Sequence, residues 1–190
     1  DLYGSPGVNY NNNYPSPSQS SYFLGQTTTG DATAETIAGA GGNDVISGLG
    51  GNDRIVGRDG WDKLYGGDGN DRLFGGGKDD LLSGGSGKDK LVGGTGSDTL
   101  IGGKGKDKLI GGFGSDTLTG GNNKDTFYLS ANTGRDKITD YESIDKLKLK
   151  GGLTENNLTI RQAGDNVKIK YEGDLIAILQ DTLIAELTFI

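Results

Sequence analysis

Residues 93–110 read Gly93-Gly94-Thr95-Gly96-Ser97-Asp98-Thr99-Leu100-Ile101 and then Gly102-Gly103-Lys104-Gly105-Lys106-Asp107-Lys108-Leu109-Ile110. The second nine residues match the first at positions one, two, four, six, eight and nine. Working outward in both directions, the same Asp recurs as Asp44, Asp53, Asp62, Asp71, Asp80, Asp89, Asp98, Asp107, Asp116 and Asp125, always nine apart. Two residues after each stands a large apolar side chain: Ile46, Ile55, Leu64, Leu73, Leu82, Leu91, Leu100, Leu109, Leu118 and Phe127. The unit is G-G-x-G-x-D-x-U-x, with U large and apolar. Ten copies in unbroken register mark an architecture of stacked repeats rather than a two-layer domain.

The unit divides into two halves with different backbone demands. Its Gly-rich half calls for positive φ and close approach of backbone to backbone, which Gly supplies because it has no Cβ. Its x-U-x half, such as Thr99-Leu100-Ile101, is a short strand with the middle side chain pointing inward. Two units make one turn of 18 residues, so successive strands fall alternately into two facing parallel sheets. Ten units predict five turns, rising about 24 Å at about 4.8 Å per strand. The core is then one ladder of Leu and Ile per sheet. So thin a core does not offset the ordering of so many glycines, at about 1–2 kcal/mol per residue.

Composition narrows the chemistry. Among 190 residues there are 37 Gly and no His, Cys or Met, and the formal charge is −7. Without His or Cys there is no Ser-His-Asp triad, no Cys-His pair, no zinc helix and no haem or iron–sulfur ligation. The acidic balance argues against a nucleic-acid binder. No apolar run reaches the ~18 residues of a membrane span. Gly-Lys pairs such as Gly87-Lys88 and Gly105-Lys106 are followed by Asp, not Ser or Thr, so they are not phosphate loops. Lysines 63, 88, 90, 104, 106 and 108 read as solvated charges over the sheets, and Trp61 as a turn residue packing on its neighbour.

The Asp spacing has a direct electrostatic consequence. Loops of alternate units stack on the same side, so Asp44, Asp62, Asp80, Asp98 and Asp116 form one column and Asp53, Asp71, Asp89, Asp107 and Asp125 the other. Like charges about 5 Å apart repel by roughly 3 kcal/mol at an effective dielectric of about 20. A cation removes that repulsion. Oxygen ligands without nitrogen or sulfur select a hard ion, and flexible loops suit Ca²⁺ better than Mg²⁺.

Across residues 39–128 the chain resembles the RTX (haemolysin-type) calcium-binding β-roll family. The resemblance implies an all-β fold, a right-handed parallel β-roll with a small C-terminal β cap, and about eight Ca²⁺ ions between stacked loops. It implies that each ion takes the carbonyls of positions two and four and the Asp of one loop, then the carbonyls of positions one and three and the Asp of the next loop on that side. One site would use Gly67, Gly69 and Asp71 with Gly84, Ser86 and Asp89; another, Gly94, Gly96 and Asp98 with Gly111, Phe113 and Asp116. In the remaining gaps the family pattern draws on Gly42, Gly51, Gly57, Gly60, Gly66, Gly75, Gly77, Gly85, Gly87, Gly93, Gly102, Gly103, Gly105 and Gly120. Three residues depart from the pattern: Arg58 at position two, and Lys78 and Asn123 at position four.

The flanks differ in kind. Residues 1–29 hold all three Pro, four Tyr, five Ser and the run Asn11-Asn12-Asn13, the composition of a linker or docking tail. Residues 30–38 look like a decayed repeat, with Glu35 in the Asp register and Ile37 at U, and are expected to cap the roll within a 30–128 unit. After Tyr128 the pattern slips by two and resumes at Asp136 and Asp145. Alternating runs at Leu158–Gln162, Asn166–Tyr171 and Leu175–Gln180 predict antiparallel strands with a turn at 163–165. The 129–190 flank resembles the C-terminal regions of secreted, often cyanobacterial, RTX proteins, which implies type I export and an extracellular or cell-surface location. The chain opens on Asp1, and the expectation is a processed chain or a fragment.

Every regular Asp is engaged by metal, so no carboxylate pair is left for acid/base work and a non-enzymatic protein is expected. The expected role is a calcium-folded structural protein that self-associates through its N-terminal tail into a filament or surface layer. It would have no nucleic-acid partner. The alternative is the folding and secretion module of a larger exoenzyme or toxin. An ice-binding surface is disfavoured, because positions three and five carry no ordered Thr or Asn array.

Overall fold

A computed structural model of the chain describes residues 25–131 and 133–190. Most of the tail, and with it the expectation that the tail docks a second subunit, lies outside the described residues. The repeats form two facing parallel sheets. One contains β1 (Thr27–Thr29), β3 (Val45–Gly50), β5 (Lys63–Asp68), β7 (Leu81–Ser86), β9 (Thr99–Lys104), β11 (Thr117–Asn122) and β13 (Asp136–Ile138), stacked in that order. The other contains β2 (Thr36–Ala38), β4 (Arg54–Asp59), β6 (Arg72–Gly77), β8 (Lys90–Thr95), β10 (Lys108–Phe113), β12 (Thr126–Ser130) and β14 (Lys146–Lys150). The chain alternates between sheets, so each strand pairs with the strand 18 residues on, as Leu64 with Leu82 and Leu82 with Leu100. This is an all-β parallel solenoid, as the repeat predicts.

The roll is longer than the ten regular units. The decayed segment 27–38 supplies the first strand of each sheet, and 136–150 supplies the last solenoid strand of each, giving about seven turns instead of five. β1 lies inside the stretch that composition assigns to the tail, and pairs with β3 through Thr27–Val45 to Thr29–Ser47. The slip after Tyr128 is absorbed as one wider turn: Thr117 pairs with Lys137 and Thr126 with Lys146, 20 residues on in both cases. There Leu129 fills the inward position that Gly holds in the repeats, and it is buried.

Most strands of the regular repeats are six residues long, not three, because they continue through both glycines. The buried positions alternate with period two, placing the U side chain and the first Gly inward and the flanking residues outward. The U side chains, Ile37 and Ile46 through Phe127 to Ile138 and Leu147, make the core; Leu64, Leu82 and Leu100 are 0% exposed.

The cap closes one end. β15 (Leu158–Ala163), β16 (Asn166–Tyr171) and β17 (Asp174–Leu179) form an antiparallel meander. Its β17 then pairs parallel with β13, Asp136 against Ala177, so the cap extends the first sheet. The chain returns to the second sheet, where the Ile190 N–H donates to the Leu147 carbonyl at 3.0 Å and the Leu147 N–H to the Thr188 carbonyl at 2.8 Å. The first sheet thus ends in an antiparallel hairpin and the last strand of the second is covered by the C-terminal segment. No helix among the described residues is long and apolar enough to cross a membrane.

A thin core makes each ladder rung matter. Leu100→Ala is expected to destabilise the calcium-loaded fold by about 2–5 kcal/mol, as buried Leu truncations do. Ile101→Ala, at a position 37% exposed, should cost under about 1 kcal/mol. Denaturant melts of the two variants check this.

Candidate metal centre

The ten regular Asp stand where the period places them, in two columns along opposite edges of the roll. All ten are buried. Each carboxylate is locked into the stack by one oxygen. The N–H of Asp62 donates to Asp80 Oδ1 at 2.8 Å, that of Asp80 to Asp98 Oδ1 at 2.8 Å, and that of Asp98 to Asp116 Oδ1 at 2.8 Å. The other column repeats the bond through Asp53, Asp71, Asp89, Asp107 and Asp125. Both columns run past the regular units. The Glu35 N–H donates to Asp53 Oδ1 at 2.8 Å, the Asp125 N–H to Asp145 Oδ1 at 2.8 Å, and the Asp116 N–H to Asp136 Oδ1 at 3.3 Å.

The second oxygen tells internal members from terminal ones. Oδ2 of Asp53, Asp62, Asp71, Asp80, Asp89, Asp98, Asp107, Asp116 and Asp125 is buried without a hydrogen-bond donor. Asp44 differs, since its Oδ2 accepts the Ala40 N–H at 2.9 Å. At the far end Asp145 Oδ2 accepts the Glu142 N–H at 2.9 Å, and at the near end Glu35 Oε2 accepts the Asp31 N–H at 2.9 Å. A buried anionic oxygen lacking a partner is costly. Nine of them in two files make a site for positive charge.

The glycines explain how those oxygens fit. A Cβ on Gly93 would collide with Asp98 Oδ2 and lie 2.6 Å from the Gly111 carbonyl oxygen; Gly57, Gly66, Gly75, Gly84, Gly102, Gly111 and Gly120 meet their own Asp in the same way. Position one is therefore Gly for space, not for positive φ. Positions two and four are the left-handed ones, as at Gly67 (φ 109°) and Gly69 (φ 141°). Between turns the position-four N–H donates to the position-three carbonyl of the next loop, as Gly69 to Ser86 at 2.8 Å and Gly96 to Phe113 at 2.8 Å. A carbonyl keeps a second lone pair after such a bond.

Four side chains sit at these left-handed positions: Leu49 (φ 72°), Arg58 (φ 89°), Lys78 (φ 79°) and Asn123 (φ 80°). Each non-Gly residue there carries a strain of roughly 1–2 kcal/mol. Leu49 escaped the sequence reading because the neighbouring Gly48, Gly50 and Gly51 masked the substitution. Glu35, Asp136 and Asp145 also belong to the columns although the ten-unit register leaves them out. Their signal was the repeat register itself, exact at Glu35 and displaced by two at the others. One more carboxylate, Asp140, accepts the Gly120 and Gly121 N–H groups at 2.8 and 2.7 Å, tying the wide turn to the last regular loop.

Among the described residues no three carboxylates converge on one point. Each gap between loops is bounded by two Asp and by backbone carbonyls, a donor set made only of oxygen. That chemistry fits Ca²⁺. Burial also pushes the carboxyls upward: Asp80, Asp89 and Asp125 to about 7, and Asp98 and Asp107 to about 6.

Buried carboxylate files on a parallel solenoid define a calcium-binding β-roll. A family model described as the RTX calcium-binding nonapeptide repeat matches in four copies, at residues 29–64, 65–100, 92–127 and 101–138, together more than half of the chain. The chain belongs to this family, whose repeats bind Ca²⁺. A search of curated proteins finds no match. Among solved structures, the chain is similar to an extracellular lipase from Serratia marcescens at 19% identity and a TM-score of 0.47, covering 96% of this chain and 42% of the lipase. It is also similar to a subunit of the mannuronan C5-epimerase from Azotobacter vinelandii at 21% identity and a TM-score of 0.24, covering 85% of this chain and 80% of that one. The chain thus spans less than half the length of the lipase.

Two outcomes are expected. Gly93→Ala should destabilise the calcium-loaded fold by about 1–3 kcal/mol through the clash with Asp98, whereas Gly41→Ala, with open space around its Cβ position, should melt with the parent. The second concerns pH without metal. Carboxyls raised from 3.8 to about 6–7 hold protons better folded than unfolded, so their contribution is fully present below about pH 4 and is lost as pH rises through about 6–7. Circular dichroism of the calcium-free chain should show β structure gained on acidification, and the same spectrum at pH 4 and pH 8 would contradict it.

Proposed function

We propose that the chain is an extracellular structural protein whose folding is switched on by calcium, with the internal Asp carboxylates and the loop carbonyls as the ion ligands. The nine buried Oδ2 atoms without donors carry this reading. Without an ion they oppose a core of single side chains; with one, each becomes a ligand and joins two turns. On the family pattern the ten regular loops hold about eight ions. The expected affinity is that of extracellular modules, about 10⁻⁴–10⁻³ M per site, with cooperativity along the stack. A chain with such sites stays unfolded in a low-calcium cytosol and folds after export. The role is structural, with no catalytic group of its own.

The second element of the proposal is assembly. β1 and β2 are the terminal strands at one end of the roll, and the opposite end carries the cap. Strand edges are templates for another chain, and residues 1–24 lead into β1. The tyrosines and prolines of that tail suit a docking segment of low entropy cost. Docked on an adjacent subunit, it makes a head-to-tail contact that propagates as a filament or layer. The competing role, a secretion module of a larger exoenzyme or toxin, predicts a monomer with or without the tail. Sedimentation of the full chain and of a variant lacking residues 1–24, which keeps β1, both in calcium, separates the two.

Calcium titration tests the ligand assignment. Chelation should abolish the β signal of residues 39–128. Asp98→Ala should raise the calcium midpoint well above that of Asp44→Ala, because Asp98 Oδ2 has no protein donor whereas Asp44 Oδ2 already has the Ala40 N–H. Equal midpoints, or a β spectrum indifferent to chelator, refute the assignment.

A further inference from the structure

The outer face of the second sheet carries two ladders that the fold does not require. Before the buried Ile55, Leu73, Leu91 and Leu109 of successive strands stand Arg54, Arg72, Lys90 and Lys108, in direct register. After it stand Val56, Phe74, Val92 and Ile110, also in register and half-buried. Beyond Lys108 the cation column is interrupted by Thr126 and resumes at Lys146, while Lys148 follows Tyr128 in the neighbouring column. No Asp or Glu occupies either outward column, although the chain has 26 acidic residues and a net charge of −7; the nearest acid on these strands is Asp59, at the end of β4. The corresponding column of the first sheet reads Val45, Lys63, Leu81, Thr99 and Thr117, so the repeat does not impose the pattern.

Stacked like charges about 4.8 Å apart repel one another. Here they gather round an aromatic ring, with the Arg54 guanidinium 4.6 Å and the Lys90 ammonium 5.8 Å from the Phe74 centroid. On β4, β6, β8 and β10 this column places one cation per strand beside the apolar strip. We propose that it binds an acidic polysaccharide laid along the roll axis, its anionic groups meeting the cation ladder and the C–H faces of its sugars meeting the apolar strip. A polymer with one carboxylate per sugar repeats close to the strand spacing. A membrane fits less well, because the strip is half-buried and the most exposed large apolar residues, Phe113, Trp61, Leu183 and Leu49, lie outside it, at strand ends or off the strands. A second copy fits less well too, since no two exposed carboxylates of the roll stand in register. The proposal rests on the calcium-folded roll.

The test titrates a galacturonate oligosaccharide long enough to span four strands into the full chain in calcium buffer, with a neutral galactan oligosaccharide alongside. The acidic sugar should bind, less tightly as salt rises, and the neutral one should not. R54Q/R72Q/K90Q/K108Q should weaken binding by about tenfold or more. K63Q/K88Q/K137Q/K168Q, with the same net charge, should change it by less than about twofold. Circular dichroism establishes that each variant folds. Equal weakening in both variants, absence of binding by the folded chain, or tighter capture of single-stranded DNA or phosphatidylglycerol vesicles by the same four cations overturns the proposal. A parent chain that stays unfolded in calcium overturns the calcium reading as well, whereas a folded chain that does not bind overturns this one alone.

Discussion

Each internal loop of the roll is built around a buried aspartate with one oxygen used and one left over. Oδ1 accepts the N–H of the Asp one turn earlier, as Asp98 does from Asp80, which pins the period at 18 residues. Oδ2 points inward at the first Gly of its own unit, which is why no side chain larger than hydrogen fits there. Both invariants of the repeat, the Asp and the Gly five residues before it, follow from accommodating a single carboxylate. The unpaired oxygen is the cost of that arrangement, and the protein offers no donor to meet it.

This places the stability of the roll outside its own hydrophobic core. Each strand from β3 to β11 contributes one fully buried apolar side chain, and these strands continue into glycines that add no apolar area. Hydrophobic burial of about 1.5–3 kcal/mol per Leu is set against ordering costs of about 1–2 kcal/mol for every residue of the nine-residue unit. A chain of this kind does not fold by burial alone. Where the carboxylate columns end, the protein supplies the missing donors itself: the N–H groups of Asp31, Ala40 and Glu142 close Glu35, Asp44 and Asp145. The ends of the columns therefore show what the middle lacks.

Much of this was legible in the nine-residue register, since period, inward ladder and stacked columns are consequences of spacing alone. The alternating runs after Leu158 marked the cap hairpins almost to the residue, because a half-buried antiparallel strand has a clean period of two. The rest depended on tertiary context. The six-residue strands were not visible because Gly has low strand propensity, and only stacking on the glycines of neighbouring turns holds it extended. The wide turn hid Asp136 and Asp145 from a strict nine-residue count, because the extra residues are accommodated in a loop while the pairing on either side is kept. That β17 adds to the first sheet in parallel is a matter of where the returning chain packs, which local pattern does not encode.

A solenoid of this design divides its residues sharply by duty. Positions one, two, four, six and eight answer to the loop and the core, and departures there, such as Arg58 or Lys78, appear as backbone strain. Positions seven and nine face outward and make no demand on the fold, as the mixed outer surface of the first sheet shows. Order at such positions is not explained by folding. The cation and apolar ladders of the second sheet are ordered over four successive strands, each rung a like charge that the stack alone would disfavour. Because the register of the roll places residues 18 apart side by side, a linear pattern in sequence becomes a linear array in space with the strand spacing as its period. The same repetition that builds a carboxylate column inside is therefore able to build an ordered column of side chains outside.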